Sequence, residues 1–192
     1  MRIVAGSAKG RPLKGPRGKG IRPTADRVRE TIFNVLGQWT DGLSVLDLYA
    51  GTGALALEAL SRGAERAVLV DQDREAVALC RANAAATGFE GRVRLLSMPV
   101  ARAVEVLGRS GESFDLIFAD PPYAARVVED LLEQIHAHRL LTPDGTLVIE
   151  HDKREEAPAS HPSGLTRVDQ RRFGDTLVSI YRPGTTPSAP DE

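Results

Sequence analysis

The chain of 192 residues holds one cysteine, one tryptophan and few aromatic residues of any kind. A lone cysteine excludes an internal disulfide and every cysteine-rich metal site. Cys80 falls in a helical pattern among Ala76, Val77 and Leu79, where a small core residue is a simpler reading than a nucleophile. Long apolar runs are also lacking: Ala67-Val68-Leu69-Val70 is typical, and far too short to cross a bilayer. No apolar stretch follows the first charges, so no secretory signal is expected and the default compartment is the cytoplasm. His136, His138, His151 and His161 have no metal-ligand spacing with one another or with Cys80. Packing or surface roles are expected for them, with no metal, and Trp39 reads as a packing residue.

What the chain does have is an ordinary globular balance, 42% hydrophobic and 27% charged, at a length suited to one domain with a sizeable core. The net charge of -1 conceals an asymmetry. Nine Lys or Arg residues and one acid, Asp26, fall within the first 29 positions; the other 163 hold 16 basic and 25 acidic residues. A basic segment on an acidic body is a common footprint of nucleic-acid contact, because every neutralised phosphate releases counterions. A solvated tail is the alternative, but the segment carries structural signals. Arg2–Gly6 and Arg11–Lys14 flank the turn-like Ser7-Ala8-Lys9-Gly10 and read as a β-hairpin. Helical periodicity then starts after Thr24, a plausible N-cap, and runs through Val28, Ile32, Phe33 and Leu36.

From Ser44 onward strand and helix patterns alternate. Apolar runs at Val45–Leu48, Ala67–Val70, Val93–Leu96, Phe114–Ala119 and Thr146–Ile149 are separated by helical patterns at Ala54–Ser61, Arg74–Ala86, Val100–Leu107 and Arg126–His138. This alternation predicts a mostly parallel sheet with helices on both faces. Leu165–Arg171 and Thr176–Tyr181, joined by Phe173-Gly174-Asp175, predict a terminal antiparallel hairpin. The expected organisation is a basic hairpin extension over 1–22, an α/β body over 23–182 and a disordered tail over 183–192.

Two motifs carry chemistry. Asp47-Leu48-Tyr49-Ala50-Gly51-Thr52-Gly53 follows the first strand, where open α/β sheets bind ligands beyond the strand ends. Gly51 and Gly53 permit close backbone approach. Asp71 ends the second strand, and an acid there suits the two hydroxyls of a ribose. A dinucleotide site is the competing reading, and Ala56 could stand in its last glycine slot. However, Asp47 beside the loop would repel a pyrophosphate and attract the ammonium of a methionine moiety, which favours S-adenosyl-L-methionine. The second motif is Asp120-Pro121-Pro122-Tyr123, after the fourth strand. An exocyclic amine of a nucleobase is a poor nucleophile, since its lone pair is delocalised into the ring. The Asp120 carboxylate and the Pro121 carbonyl can each accept one of its hydrogens and aim that lone pair. Pro121 and Pro122 stiffen the corner, and Tyr123 offers a stacking face. A base in a duplex cannot reach such a corner, so the target must be unpaired or flipped out.

The order of these motifs resembles the class I S-adenosylmethionine-dependent amine methyltransferases, with a Rossmann-like seven-stranded sheet. Arg2-Ile3-Val4-Ala5-Gly6, Lys9-Gly10-Arg11-Pro12-Leu13, Arg22-Pro23-Thr24-Ala25-Asp26-Arg27-Val28-Arg29-Glu30, Leu57-Glu58-Ala59-Leu60-Ser61-Arg62-Gly63-Ala64 and Phe173-Gly174-Asp175-Thr176 are similar to the RsmD family. The resemblance implies transfer of a methyl group to the N2 amine of a guanine in 16S ribosomal RNA (guanine 966 in the usual numbering). The substrate it implies is the small ribosomal subunit or an assembly intermediate; a monomer is the expected state, although the sequence leaves oligomeric state open. It implies cofactor contacts at Thr24, Asp47, Tyr49, Gly51, Gly53 and Asp71. The basic segment offers RNA contacts at Arg2, Lys9, Arg11, Lys14, Lys19 and Arg22, and Arg22, like Arg27, could instead meet the cofactor or a structural acid such as Glu30. Where related enzymes often carry a polar residue for the adenine, this chain has Ser97-Met98-Pro99, so that contact would fall to backbone or to Ser97. Adenine-amine and glutamine-amide methyltransferases need the same two acceptors and stay open as alternatives. So does a non-catalytic RNA-binding assembly factor.

Overall fold

The computed structural model describes residues 1–16, 23–37, 40–122 and 127–184, with residues 23–26 described by their backbone alone. Seven strands form one sheet: β1 (Ser44–Leu48), β2 (Arg66–Asp71), β3 (Val93–Ser97), β4 (Phe114–Ala119), β5 (Leu141–Asp152), β6 (Leu165–Phe173) and β7 (Thr176–Pro183). Their order is β3-β2-β1-β4-β5-β7-β6, with the first five parallel and β7 antiparallel to both its neighbours. The expected strands, helices and terminal hairpin are therefore all present, in the expected order.

Alternation along the central strands sorts the core into two layers, because successive side chains point to opposite faces. On one face Val45, Ala67, Leu69, Leu116, Phe118 and Val148 pack under α1 (Pro23–Leu36), α2 (Ala54–Ser61) and α3 (Arg74–Thr87). On the other, Leu46, Val68, Ile117, Leu147 and Ile149 pack under α4 (Val100–Arg109) and α5 (Val127–Ala137). All five residues of β1 are buried, as befits a strand covered on both sides. Phe33 of α1 meets Phe118 of β4 with ring centroids 5.8 Å apart and tilted by 56°. This contact seats α1 over the carboxyl ends of the strands, where the ligand site lies.

The structure departs from the expectations at three places. α1 begins at Pro23, so Thr24 stands in its first turn rather than ahead of it. Proline suits that first position because its missing N–H would go unbonded there anyway. β5 is much longer than the run Thr146–Ile149 and extends through His151 to Asp152, because β7 pairs with Glu150, His151 and Asp152. His151 is buried there, its ring bonded to Ser179 Oγ at 2.9 Å, which is the expected packing role. The N-terminal hairpin forms only one bridge, Arg2 to Pro12, with Ile3 N donating to Arg11 O at 3.0 Å and Leu13 N to Met1 O at 3.0 Å. What holds it is the body: Ile3, Ala8 and Leu13 are buried in the first core layer.

Candidate active site

A cleft of about 400 Å³ opens between α1 and the carboxyl ends of β1, β4 and β5. Strand register decides which side chains enter it. Asp47 of β1 pairs with Phe118 of β4, and Phe118 pairs with Val148 of β5. Two positions onward, on the same sheet face, come Asp120 and Glu150. Asp47, Asp120 and Glu150 all line the cleft, together with Tyr49, Gly51, Thr52, Phe173 and Thr176.

These carboxyls are poorly compensated. Asp47 is buried and accepts one backbone bond, from Ala56 N at 3.2 Å in the first turn of α2. Burial drives its pKa well above the usual carboxylate range. The Ala56 bond opposes that shift, and the charges of Asp120 and Asp71 add to it. Asp120 opens to the cleft, but desolvation by the cleft walls still pushes its carboxyl up to about 6. Burial also pushes Glu150 up to about 8, helped by the charges of Asp120 and Asp47. Perturbed acids converging on one cleft form a site poised for cations and hydrogen-bond donors.

The glycine loop wraps the end of β1. Tyr49 adopts φ 62°, and Gly51 and Gly53 adopt φ 55° and 75°. The two glycines serve different ends. A Cβ on Gly53 would lie 2.8 Å from Leu69 Cδ2 and 3.4 Å from Cys80 Sγ, so Gly53 is demanded by helix-on-sheet packing. A Cβ on Gly51 would meet nothing nearer than Tyr49 O at 3.9 Å, which leaves Gly51 as the position for close approach to a ligand. Packing alone thus accounts for a glycine at position 53, whatever its backbone also offers a ligand. Cys80 is the expected core residue, buried with its thiol pushed up to about 12 mainly by desolvation.

Asp71 anchors the loop from β2. Its Oδ2 accepts from Gly51 N at 2.9 Å and its Oδ1 from Asp73 N at 2.9 Å, which orients the carboxylate and leaves lone pairs for ribose hydroxyls. Asp71 pairs with Ser97 across β2 and β3, so the acid, Ser97 and Met98 sit beside one another at the sheet's rim. Met98 N already donates to Asp71 O at 3.1 Å, leaving Ser97 the polar side chain of the two. These three lie outside the lining of the 400 Å³ cleft and extend the site along the ends of β2 and β3. The arrangement suits an elongated ligand with a cationic end near Asp47 and a nucleoside end near Asp71 and Ser97, as in S-adenosylmethionine.

Pro121 is buried and Pro122 exposed, continuing the chain from Asp120, whose N–H donates to Leu48 O at 3.4 Å. Tyr123 lies outside the described residues, as do Lys19, Arg22, Trp39 and the side chain of Thr24. Arg2, Lys9, Arg11 and Lys14 are all exposed, as an RNA-contacting set requires. Among the described basic residues of this segment Arg29 behaves differently: it is buried, its Nη2 donating to Arg2 O at 2.6 Å and its Nε 3.4 Å from Glu58 Oε2. Glu58 also accepts from Val4 N at 2.8 Å and Ala5 N at 2.9 Å and pairs with Arg62 Nε at 2.9 Å. Asn83, fully buried, accepts from Lys14 N at 2.7 Å while its Nδ2 donates to Lys14 O and, at 2.9 Å, to Thr52 O. The basic segment is thereby joined to the glycine loop through one side chain.

Sequence reasoning missed Glu150, Glu58 and Arg29. For Glu150 a signal was present. β2, β4 and β5 each run from apolar residues into an acid (Asp71, Asp120, Glu150), and only the first two drew attention. No cluster of side chains suited to a metal ion occurs among the described residues, and none of their helices is long and apolar enough to cross a membrane.

Comparison with known proteins agrees with the fold. The family described as Conserved hypothetical protein 95 matches residues 1–182. The ribosomal RNA small subunit methyltransferase D of Escherichia coli (strain K12) is 35% identical over 182 residues, covering 95% of this chain and 89% of that protein. The Bacillus subtilis (strain 168) protein YlbH is 37% identical over 182 residues, covering 95% and 98%. Among solved structures, the Escherichia coli protein yhhF superimposes with a TM-score of 0.82 at 31% identity, covering 96% of this chain and 98% of that one.

Proposed function

The chain belongs to the RsmD family, the family described as Conserved hypothetical protein 95, and from that premise we propose that it transfers a methyl group from S-adenosylmethionine to the N2 amine of a guanine in 16S ribosomal RNA. The observation that carries the reading is the placement of Asp120 and its prolines at the end of β4, opening on the cleft beside the glycine loop.

Bound at this site, S-adenosylmethionine supplies an electrophilic methyl group on a positively charged sulfur. Asp47 provides negative potential for the cationic end of the cofactor. Gly51 allows the backbone close approach, Asp71 receives the ribose hydroxyls, and Ser97 stands near the base. Asp120 accepts one N–H of the target amine, and the Pro121 carbonyl accepts the other. The nitrogen lone pair is thus turned out of conjugation before reaction. As the new N–C bond forms, the amine must shed one proton, and the Asp120 carboxylate, with its pKa raised toward neutrality, is placed to receive it.

The RNA arrives on the side of the basic segment. Arg2, Lys9, Arg11 and Lys14 are exposed there, while backbone bonds to Glu58 and Asn83 hold the segment rigid. The target nucleotide is unpaired or flipped into the cleft, the small ribosomal subunit or its assembly intermediate is the substrate, and the enzyme acts as a cytoplasmic monomer. The test is transfer of labelled methyl groups to small subunits lacking the modification, followed by mass-spectrometric mapping of the modified nucleotide. Label on a guanine N2 supports the reading. Cofactor binding without transfer to any RNA would sink it and favour a binding factor instead.

A further inference from the structure

Resting on that reading of the target as guanine, we propose that Glu150 is a specificity-determining residue that accepts the ring N1–H of the base while Asp120 holds the N2 amine. The register brings them together. Ala119 and Ile149 are paired on the adjacent parallel strands β4 and β5, and the next residue on each strand is an acid. Neighbouring strands run ~4.8 Å apart, so the two side chains leave the sheet side by side. They leave on the same face, since Phe118 and Val148, two positions back, both pack in the core layer under α1. Both carboxyls line the same cleft.

Among the described residues, neither carboxyl has a hydrogen-bond partner. The other acids near the cleft are engaged: Asp47 with Ala56 N, Asp71 with Gly51 N and Asp73 N, and Glu58 with Val4, Ala5 and Arg62. Glu150 is half-buried and Asp120 exposed, so with no partner inside the chain each takes its donor from outside it, from water or from a ligand. The raised pKa of Glu150 is the electrostatic sign of that unmet need.

The chemistry of the base supplies the donor. A guanine that offers its N2 amine to Asp120 presents N1–H directly beside it, a second donor in the same plane. Above the pH at which Glu150 ionises, about 8, an adenine or a 2-aminopurine presents it with a ring-nitrogen lone pair that the carboxylate repels, whereas the protonated acid below that pH can donate to the same nitrogen. Two acceptors side by side therefore match the Watson–Crick edge of guanine and mismatch the others. Phe173 and Thr176, from the β6–β7 hairpin, close the cleft on the Glu150 side.

The experiment uses small subunits reconstituted with rRNA carrying either guanine or 2-aminopurine at the methylated position. Both bases keep the N2 amine, and only guanine has N1–H. Above about pH 8, where Glu150 is ionised, wild-type protein should prefer guanine by about 10- to 100-fold in kcat/KM, the discrimination that one hydrogen bond to a charged group supports. Glu150→Gln and Glu150→Asp should lose most of that preference, falling on guanine while changing little on 2-aminopurine. Calorimetric S-adenosylmethionine binding is measured on each variant in parallel. An equal fall on both bases, or lost cofactor affinity with the guanine preference intact, overturns the assignment and makes Glu150 a structural or cofactor group. Wild-type protein that methylates neither substrate overturns the functional reading itself, and this inference with it.

Discussion

Two groups of desolvated acid sit within one small domain and behave in opposite ways. Under the N-terminal segment, Glu58 is wholly buried between Arg29 and Arg62, which are 3% and 4% exposed, and it also caps two backbone amides. The guanidinium of Arg62 in turn lies 4.6 Å above the Phe33 ring. A few residues away, Asp120 and Glu150 face a cleft with no such partners among the described residues. Compensation separates the two. A buried charge whose bonds are met inside the chain is a fastener, and a cleft carboxyl with no partner in the chain is open to a ligand. The first group joins the basic segment and α1 to α2; the second is where the chemistry is expected.

The comparison can be broken most sharply at Asp120. Asp120→Ala should lower methyl transfer by about 10²- to 10³-fold, as loss of one preorganised polar partner does, while S-adenosylmethionine affinity stays near normal. Retained turnover would remove Asp120 from its role. At the fastener the loss should appear in stability instead. Glu58→Ala leaves two buried guanidinium groups without their acid, and about 3–5 kcal/mol should be lost in denaturant unfolding. An unfolding midpoint close to wild type would mean that the cluster is more hydrated than its burial implies.

A smaller effect is expected on the basic face. Neutralising Lys9, Arg11 and Lys14 together should reduce the slope of log affinity against log salt by about 2, with cofactor binding unchanged. An unaltered slope would place the RNA grip elsewhere. The smallest effect is the most diagnostic for the contrast. Because the folded-state pKa of Glu150 is raised to about 8, the folded protein holds a proton that the unfolded chain releases near its ordinary pKa. Stability should therefore fall as pH rises through that interval and level off above about 8. Asp120 acts in the same direction up to about 6, and Asp47 adds to the strain from β1. Glu150→Gln should flatten the upper part of this decline in thermal unfolding without cofactor. Persistence of the full slope in that variant would show that Glu150 is not its source. Arg29 lines the same cleft.

Much of the fold was legible because its signals are local. A strand buried on both faces, such as Val45–Leu48, is an apolar run, and a helix such as Val100–Arg109 repeats its apolar positions every three or four residues. The glycine loop and the Asp120-Pro121-Pro122 corner were legible for the same reason, since each is contiguous in the chain. Glu58 was not, because it reads as an ordinary polar position of a helix until Val4, Ala5, Arg29 and Arg62 converge on it. The packing demand at Gly53 was not legible either, because Leu69 and Cys80 lie behind it only in the folded chain.

By itself, then, the sequence determined the order of elements, the two chemical motifs, the basic character of the first thirty residues and the family resemblance. Tertiary structure alone decided which acids meet. Asp120 and Glu150 are thirty residues apart in the chain, yet the pairing of β4 with β5 makes them neighbours. The physical reason is that local patterns set where strands and helices form. Register and desolvation, by contrast, arise only from contacts between distant segments, and these decide whether a carboxylate is a fastener, a solvated surface group or a ligand's partner.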